Sequence, residues 1–317
     1  MSRSVVAVVG PTASGKSDLA VSLAQAVGGE IINADSMQLY RGMDVGTAKL
    51  SPEQRRGVPH HLLDVLDVTE TASVAQFQTW ARNAVTDCHV RAVVPILVGG
   101  SALYVRAVLD RFEFPGTDAR LRVRLENELA LLGPVALHDR LRAADPLAAS
   151  QILAGNVRRI VRALEVIELT GKPFVASLPA YDYVHAPVLQ LGLDVPREVL
   201  DERIEARVKR MWADGLVDEV RRLERVGLRD GRTASRALGY AQVLRVLTGE
   251  LSEQEARDQT AAGTRRFVRK QDAWFRKDHR IHWLPYDAPD LLERAMRLLE
   301  GSDATIASRV QASHSGQ

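Results

Sequence analysis

"VVAVVGPTASGKSDLAVSLAQAV", residues 5–27, decides the fold. Residues 5–10 are a short apolar run of the kind that forms a buried strand, and residues 14–27 read as the helix that follows it. Between them Gly10, Gly15, Lys16 and Ser17 fit the pattern G-x-x-x-x-G-K-[ST] in full. In a strand–loop–helix setting this pattern turns backbone N–H groups toward an anion, and Lys16 adds a full positive charge. Gly10, Pro11, Thr12, Ala13, Ser14, Gly15, Lys16 and Ser17 are therefore candidate phosphate-binding residues, with Ser17 placed to share Mg²⁺ with phosphate oxygens. The loop does not reveal whether those phosphates belong to a nucleotide.

The same alternation continues outward. "GEIINA" (29–34) is a second apolar strand, closed by the polar "DSMQ"; a helix is expected over 73–90 and a strand over 93–100. Pro95 then has to stand at the strand's start or where no donor is needed. Strands and helices joined by short links describe an α/β fold, a P-loop NTPase-like parallel sheet flanked by helices. After "FEFPGTD" (112–118) only helical patterns appear until about residue 187, broken at Gly133–Pro134 and at 144–146. The clearest of them runs from an Asn156 N-cap to Gly171 and Pro173, with Val157, Ile160, Val161, Leu164 and Ile167 as its apolar stripe. "VLQLGLDV" (188–195) alternates like a strand, 196–215 reads as a helix, Ser252 and Glu255 have capping-box spacing, and 280–285 fits a last strand. The expected organisation is an α/β core over 1–115 and 188–300, an all-helical insertion over 116–187, and a frayed, disordered tail over 301–317.

Bulk properties narrow the class. The 317 residues are 46% hydrophobic and 26% charged, ordinary for a globular protein, and nothing near ~18 consecutive apolar residues occurs. The apolar run at the N-terminus is too short for a signal peptide and leads straight into the glycine loop. One cysteine, Cys88, excludes an internal disulfide and a multi-cysteine zinc site, which favours a reducing cytoplasm. The net charge is only +2, but it is unevenly spread. Residues 264–280 hold seven Arg and Lys against two Asp, and Arg158, Arg159 and Arg162 form a second cluster. Such local charge suits an extended anion such as RNA, or simply two solvated helix faces.

Asp35 follows the second strand and so stands at the carboxyl end of the sheet beside the phosphate loop, where ligands bind in this architecture. On residue chemistry it is a metal ligand, an activator of an acceptor group, or a turn residue. "LVGGSALY" (97–104) ends a strand in Gly99 and Gly100, which let the backbone approach a ligand closely, and then in Ser101, a hydroxyl that also suits a helix N-cap. No acidic Walker-B residue closes that strand, which weakens a motor-ATPase or GTPase reading. His60 and His61 lack neighbouring Cys or His ligands in the sequence and read as structural. The aromatics around Trp274 and Phe275 are expected on a buried helix face, with some of the adjoining basic residues left for nucleic acid.

Taken together these motifs resemble the tRNA dimethylallyltransferases, also called tRNA isopentenyltransferases. The resemblance rests on "GPTASGKS", "EIINADSMQLYRGMDVGTAK" (30–49), "HHLLDV", "LVGGSALY", "NVRRIVRALEVIELTGKP" (156–173), "DERIEARVKRMWADGLVDEV" (201–220), "SRALGYAQ" (235–242) and "RKQDAWFRK" (269–277), and spans roughly residues 5 to 285. It implies transfer of a dimethylallyl group from dimethylallyl pyrophosphate to the exocyclic N6 of adenosine 37, beside the tRNA anticodon. Lys16, Mg²⁺ at Ser17, and Arg207 would neutralise the leaving pyrophosphate, and Asp35 would be the general base. Ser36, Met37 and Gln38 would surround the target base; Ser101 stands where the family usually has Thr, and Ala102 where it has Gly. Arg122, Arg158, Arg159, Ile160, Val161 and Arg162 match tRNA-contacting positions, although the family often has Gln at the place of Arg158. The single cysteine rules out the zinc finger of the eukaryotic branch and points to the bacterial type. The expected partners are the tRNA anticodon stem-loop and dimethylallyl pyrophosphate, with no membrane, acting on a monomer. The rival enzyme is a P-loop small-molecule kinase, which would have to turn over ATP; a second rival is a non-catalytic RNA-binding protein.

Overall fold

The computed structural model describes residues 4–174, 180–185 and 187–314, with side chains of the last helix through residue 302. Residues 175–179 and 315–317, assigned by the sequence to the helical insertion and the tail, lie outside the described residues. Two compact units form, Met1–Asp110 with Tyr183–Gln317, and Arg111–Asp182. The inserted unit thus begins and ends about five residues before the limits read from the sequence. The reason is local pairing. Asp110 and Tyr183 form an antiparallel bridge in the first unit, and Arg111 N–H donates to the Asp182 carbonyl in the second.

The first unit is built on β1 (Val5–Val9), α1 (Lys16–Val27), β2 (Glu30–Asn33), β3 (His60–His61), α2 (Val74–Val90), β4 (Pro95–Gly99) and α3 (Ala102–Leu109). The inserted unit contributes α4 (Ala119–Ala144), α5 (Pro146–Gln151) and α6 (Val157–Thr170). The first unit resumes with β5 (Val188–Asp194), α7 (Arg197–Ala213), α8 (Leu216–Glu224), α9 (Tyr240–Leu247), α10 (Glu253–Phe275), β6 (Ile281–Pro285) and α11 (Leu291–His314). The six strands lie in the order β3-β2-β4-β1-β5-β6, and every pairing is parallel. β1 and β4 are buried along their whole length, as near-continuous apolar runs in a two-sided sheet require. Pro95 is the first residue of β4, where its missing N–H costs no ladder bond. Leaving β1, the chain turns to one side of it for β2, β3 and β4, then crosses to the other side for β5 and β6. That reversal opens a crevice at the carboxyl ends of β1, β2 and β4.

α11 continues through Gly301 to His314 in place of the frayed tail, along an alanine-containing stretch that favours helix. Among the described residues no helix is long and apolar enough to cross a membrane.

In the inserted unit α4 breaks at Gly133, whose φ of 81° is left-handed, and Pro134 restarts the helix. Its core joins Leu125, Leu137 and Leu141 to Ile152, Ile160, Val161 and Leu164. One carboxylate, Glu165, is fully buried there and accepts from Arg122, from Arg162 at 2.7 Å and from the Asp118 N–H at 3.2 Å. The two arginines keep 35% and 25% of their side-chain area in water. Glu165→Ala should therefore destabilise this unit by about 2–3 kcal/mol, less than the ~3–5 kcal/mol of breaking a fully buried pair. Amide hydrogen exchange of residues 119–170 in the intact chain measures the effect, and unchanged protection would refute it.

Candidate active site

The phosphate loop folds as its glycines demand. Gly10 (φ 144°), Ala13 (φ 68°) and Gly15 (φ 96°) take left-handed backbone, and α1 starts at Lys16 with no side-chain cap, leaving its first N–H groups to a ligand. Lys16 Nζ donates to the Pro11 carbonyl at 3.2 Å, and Arg203 Nη1 donates to the carbonyls of Ala13 and Ser14, each at 3.3 Å. Burial lowers the Lys16 ammonium from 10.5 to about 8; Asp35 raises it in part and Arg207 lowers it further. Burial likewise lowers Arg207, with Asp35 opposing.

Asp35 leaves β2 in a turn set by Asn33, a buried amide that accepts from the Asp35 N–H at 2.9 Å and donates to the carbonyls of Asp35 and Leu62, each at 3.0 Å. One carboxylate oxygen of Asp35 accepts from the Met37 N–H at 2.9 Å; among the described residues the other takes no hydrogen bond. Near Ser36 the Tyr104 hydroxyl is pushed up to about 12 by burial, so that it stays neutral. Gln38 Nε2 and Arg207 Nη2 both donate to the Thr47 carbonyl, at 3.3 and 3.0 Å. The loop bearing Thr47 is in turn held by Glu219, whose buried carboxylate accepts from the N–H groups of Asp44, Val45 and Gly46 and from the Tyr240 hydroxyl. Lys49, whose side chain is 3% exposed, pins the same segment through Asp44, Asp64 and the Tyr40 carbonyl.

A cavity of about 60 Å³ results, lined by Thr12, Lys16, Ser17, Asp35, Gln38 and Arg207 together with Asn33, His60 and an apolar wall that includes Ile31, Leu50 and Val98. It adjoins a cleft of about 1000 Å³ that adds Ala13, Ser14, Gly15, Arg203 and Arg210. Two cations, a carboxylate and free helix N–H groups beside an apolar wall suit a ligand with a diphosphate head and a short hydrocarbon tail.

Comparison with known proteins agrees. The family model described as IPP transferase matches residues 38–278. The tRNA dimethylallyltransferase of Thermobifida fusca (strain YX) is 63% identical over 311 residues, covering 96% of this chain and 97% of that protein. The tRNA dimethylallyltransferase of Kineococcus radiotolerans is 65% identical over 303 residues, covering 93% and 95%. Among solved structures, the full-length tRNA isopentenylpyrophosphate transferase of Bacillus halodurans matches with TM-score 0.71 and 38% identity over 98% of this chain and 99% of that one. A eukaryotic dimethylallyltransferase, crystallised acting on tRNA, matches with TM-score 0.82 and 26% identity over 97% and 80%. The chain belongs to the IPP transferase family.

In this IPP transferase the expected site residues fall into three groups. Thr12, Lys16, Ser17, Asp35, Gln38 and Arg207 share the cavity, and Ala13, Ser14 and Gly15 line the cleft. Gly10, Pro11, Ser36, Met37 and Ser101 lie outside both linings. Ser101 precedes α3 without a side-chain capping bond, so its hydroxyl is not spent on the helix. The remaining expected residues belong to the inserted unit. There Arg122 and Arg162 are committed to Glu165, and Ile160 and Val161 are 0% and 5% exposed in the core, whereas Arg158 and Arg159 are exposed. Tertiary packing explains the difference, because α6 turns Ile160 and Val161 onto α4.

Two readings of the sequence need correction, and a third, that of His61 as structural, stands for a reason only the fold supplies. A Cβ on Gly100 would meet Gln271 Nε2 at 2.6 Å, so Gly100 admits a protein group in place of a ligand; one on Gly99 would meet the Ala34 carbonyl at 2.5 Å, yet Gly99 also lines the cavity. Phe267 and Trp274 are 44% and 42% exposed; the buried face of α10 is Val268, Gln271 and Phe275, one residue out of step with them. The fold also brings Cys88 and Glu30 to His61, a set of ligand atoms all within 4.8 Å that the sequence kept far apart. The cation there is Arg91, donating to both Glu30 oxygens at 2.6 and 2.7 Å. Its hydrogen bonds hold Glu30 down at about 2, and burial pushes the Cys88 thiol up to about 11, so the cluster reads as an internal ion pair. Missed altogether were Asn33, Arg203, Glu219 and Gln271. A polar residue ending an apolar strand could have flagged Asn33; nothing local marks the others.

The Lys16 shift has a measurable consequence. Below pH 8 Lys16 is already charged, and as pH rises through 8 it loses the proton that an anion needs. Titration calorimetry with inorganic pyrophosphate, in buffers of different ionisation enthalpy, should show more proton uptake at pH 8 than at pH 7, a difference that Lys16→Met removes. Equal uptake in both proteins would show that Lys16 is fully charged before the anion arrives.

Proposed function

We propose that the chain transfers the dimethylallyl group of dimethylallyl pyrophosphate to the exocyclic N6 of the adenosine beside the tRNA anticodon, yielding N6-isopentenyladenosine and pyrophosphate. The observation that carries this reading is the shared cavity, which Asp35 lines together with Lys16, Arg207 and residues of the phosphate loop. Adenine N6 is a weak nucleophile because its lone pair is delocalised into the ring. As the N–C bond forms and the allylic C–O bond breaks, Asp35 takes the N6 proton. Lys16, Arg207 and the N-terminal amides of α1 stabilise the charge that passes to the departing pyrophosphate. Ser17 puts a hard oxygen donor in the same cavity, where it would share Mg²⁺ with the pyrophosphate oxygens. Mg²⁺, when bound, supplies further charge neutralisation at the pyrophosphate. Ser101, two residues beyond β4, is assigned to the donor's bridging oxygen, a reading supported by the absence of a capping bond from its hydroxyl to α3.

Ser36, Met37 and Gln38 adjoin Asp35 and are assigned to the target base, which must leave its stack to reach them. The phosphates are assigned to Arg158 and Arg159. On α10 the exposed residues Phe267, Lys270, Trp274 and Lys277 recur at three- and four-residue steps, an aromatic and basic stripe suited to single-stranded RNA. A reducing cytoplasm is the assigned setting, consistent with the free, buried Cys88.

Asp35→Asn should lower prenyl transfer by ~10²–10⁴-fold while leaving donor and tRNA binding intact. The assay is nucleoside analysis after incubation with dimethylallyl pyrophosphate, Mg²⁺ and tRNA; an undiminished rate would remove Asp35 from the role of base. Turnover of ATP in place of dimethylallyl pyrophosphate would favour the kinase alternative. Replacing Arg158 and Arg159 by Gln should ease the slope of log affinity against log salt by about 1.4–1.8, the value for two lost phosphate contacts. An unchanged slope would return both residues to the solvent.

A further inference from the structure

We infer that Gln271 is a positioning residue for the transfer reaction, a latch that sets the spacing between the phosphate loop and Ser101. The inference rests on the proposed reaction and extends it to a residue on α10. Gln271 is 7% exposed and lies between two loops that are far away in sequence. Its Oε1 accepts from the Thr12 N–H at 2.9 Å, and its Nε2 donates to the Gly100 carbonyl at 2.7 Å. Thr12 belongs to the loop after β1, and Gly100 to the turn after β4 that delivers Ser101.

The chemistry admits few substitutes. One partner is a donor and the other an acceptor, so the bridging side chain has to offer both functions, as an amide does. Glu has no proton to give the Gly100 carbonyl, Asn is one methylene shorter, and Met offers neither bond. Gly100 is matched to this arrangement, since a Cβ there would stand 2.6 Å from the Gln271 amide nitrogen. The Thr12 N–H is also spent. An amide of the phosphate loop that bonds to Gln271 fixes the loop itself instead of gripping the ligand. The pyrophosphate is held on the β1 side of this bridge and the Ser101 hydroxyl on the β4 side, so the amide sets how far apart the two stand when the C–O bond breaks.

The test is a double-mutant cycle on the full chain, with kcat measured at saturating dimethylallyl pyrophosphate and tRNA. Gln271→Met should lower kcat by about 10- to 100-fold, the scale of a misplacement near 1 Å, with tRNA affinity unchanged. Because the latch acts through Ser101, adding Ser101→Ala to Gln271→Met should cost far less than Ser101→Ala costs the wild type. Gly100→Ala, which breaks the same bond from the other side, should reproduce the loss and add little to Gln271→Met. If Gln271→Met fails to fold, the cycle of Gly100→Ala with Ser101→Ala decides in its place. Losses that simply multiply, or a wild-type kcat in a folded Gln271→Met protein, would overturn the latch. A wild-type enzyme that transfers no prenyl group would instead overturn the proposed reaction.

Discussion

Two cations and one carboxylate, drawn together at the carboxyl edge of a parallel sheet, are the constraint on which the rest of the site depends. Lys16 and Arg207 both feel the charge of Asp35, and burial works against the charged form of each. Gathering like charges away from water is unfavourable unless something answers them. Part of the answer is internal. Backbone carbonyls turn toward the cations: Pro11 to Lys16, Thr47 to Arg207, Ala13 and Ser14 to Arg203. Those dipoles reduce the excess positive charge without cancelling it. What remains is a field whose natural partner is a multiply charged anion, and pyrophosphate is one.

Holding those carbonyls in place occupies much of the surrounding polar structure. Thr47 faces Arg207 because Glu219 gathers three consecutive N–H groups just before it, with Tyr240 closing the carboxylate's coordination. Asn33 shapes the turn that presents Asp35, using its amide as both donor and acceptor. Gln271 does the same between the loops after β1 and β4. Each of these groups is buried and hydrogen-bonded, the condition under which polar groups specify one geometry rather than weaken the core. Asp35 is thus carried on a loop between the helix-borne Lys16 and Arg207, and the loops around them are tied down by amides and a carboxylate from elsewhere in the chain.

Much of this was legible in the residues. The apolar runs at 5–10, 29–34 and 93–100 became β1, β2 and β4, because a buried parallel strand announces itself by continuous hydrophobicity, and the alternating stretch 188–195 became β5. The glycine–lysine pattern placed Lys16 and Ser17, and the motif block from Glu30 to Lys49 placed Asp35. Where the reading slipped, packing had the deciding part. Ile160 and Val161 stand beside Arg158 and Arg159 in sequence, yet the turn of α6 sends one pair inward and the other out. Phe267 and Trp274 are apolar, but the inward stripe of α10 runs one residue away from them.

By itself, then, the sequence determined most strands and helices of the fold and the candidate residues of the site, since strand hydrophobicity, helix periodicity and phosphate-loop spacing are local properties. Only the tertiary structure decided which groups stand opposite one another. Gln271 meets Thr12 across 259 residues, and Glu219 meets Asp44 across 175. No local pattern marks such pairs, because a buried hydrogen bond needs matching donors and acceptors in space and leaves no periodicity in the chain. The same holds for His61, Glu30, Cys88 and Arg91, whose likeness to a metal site ends once the guanidinium is seen between the carboxylate oxygens.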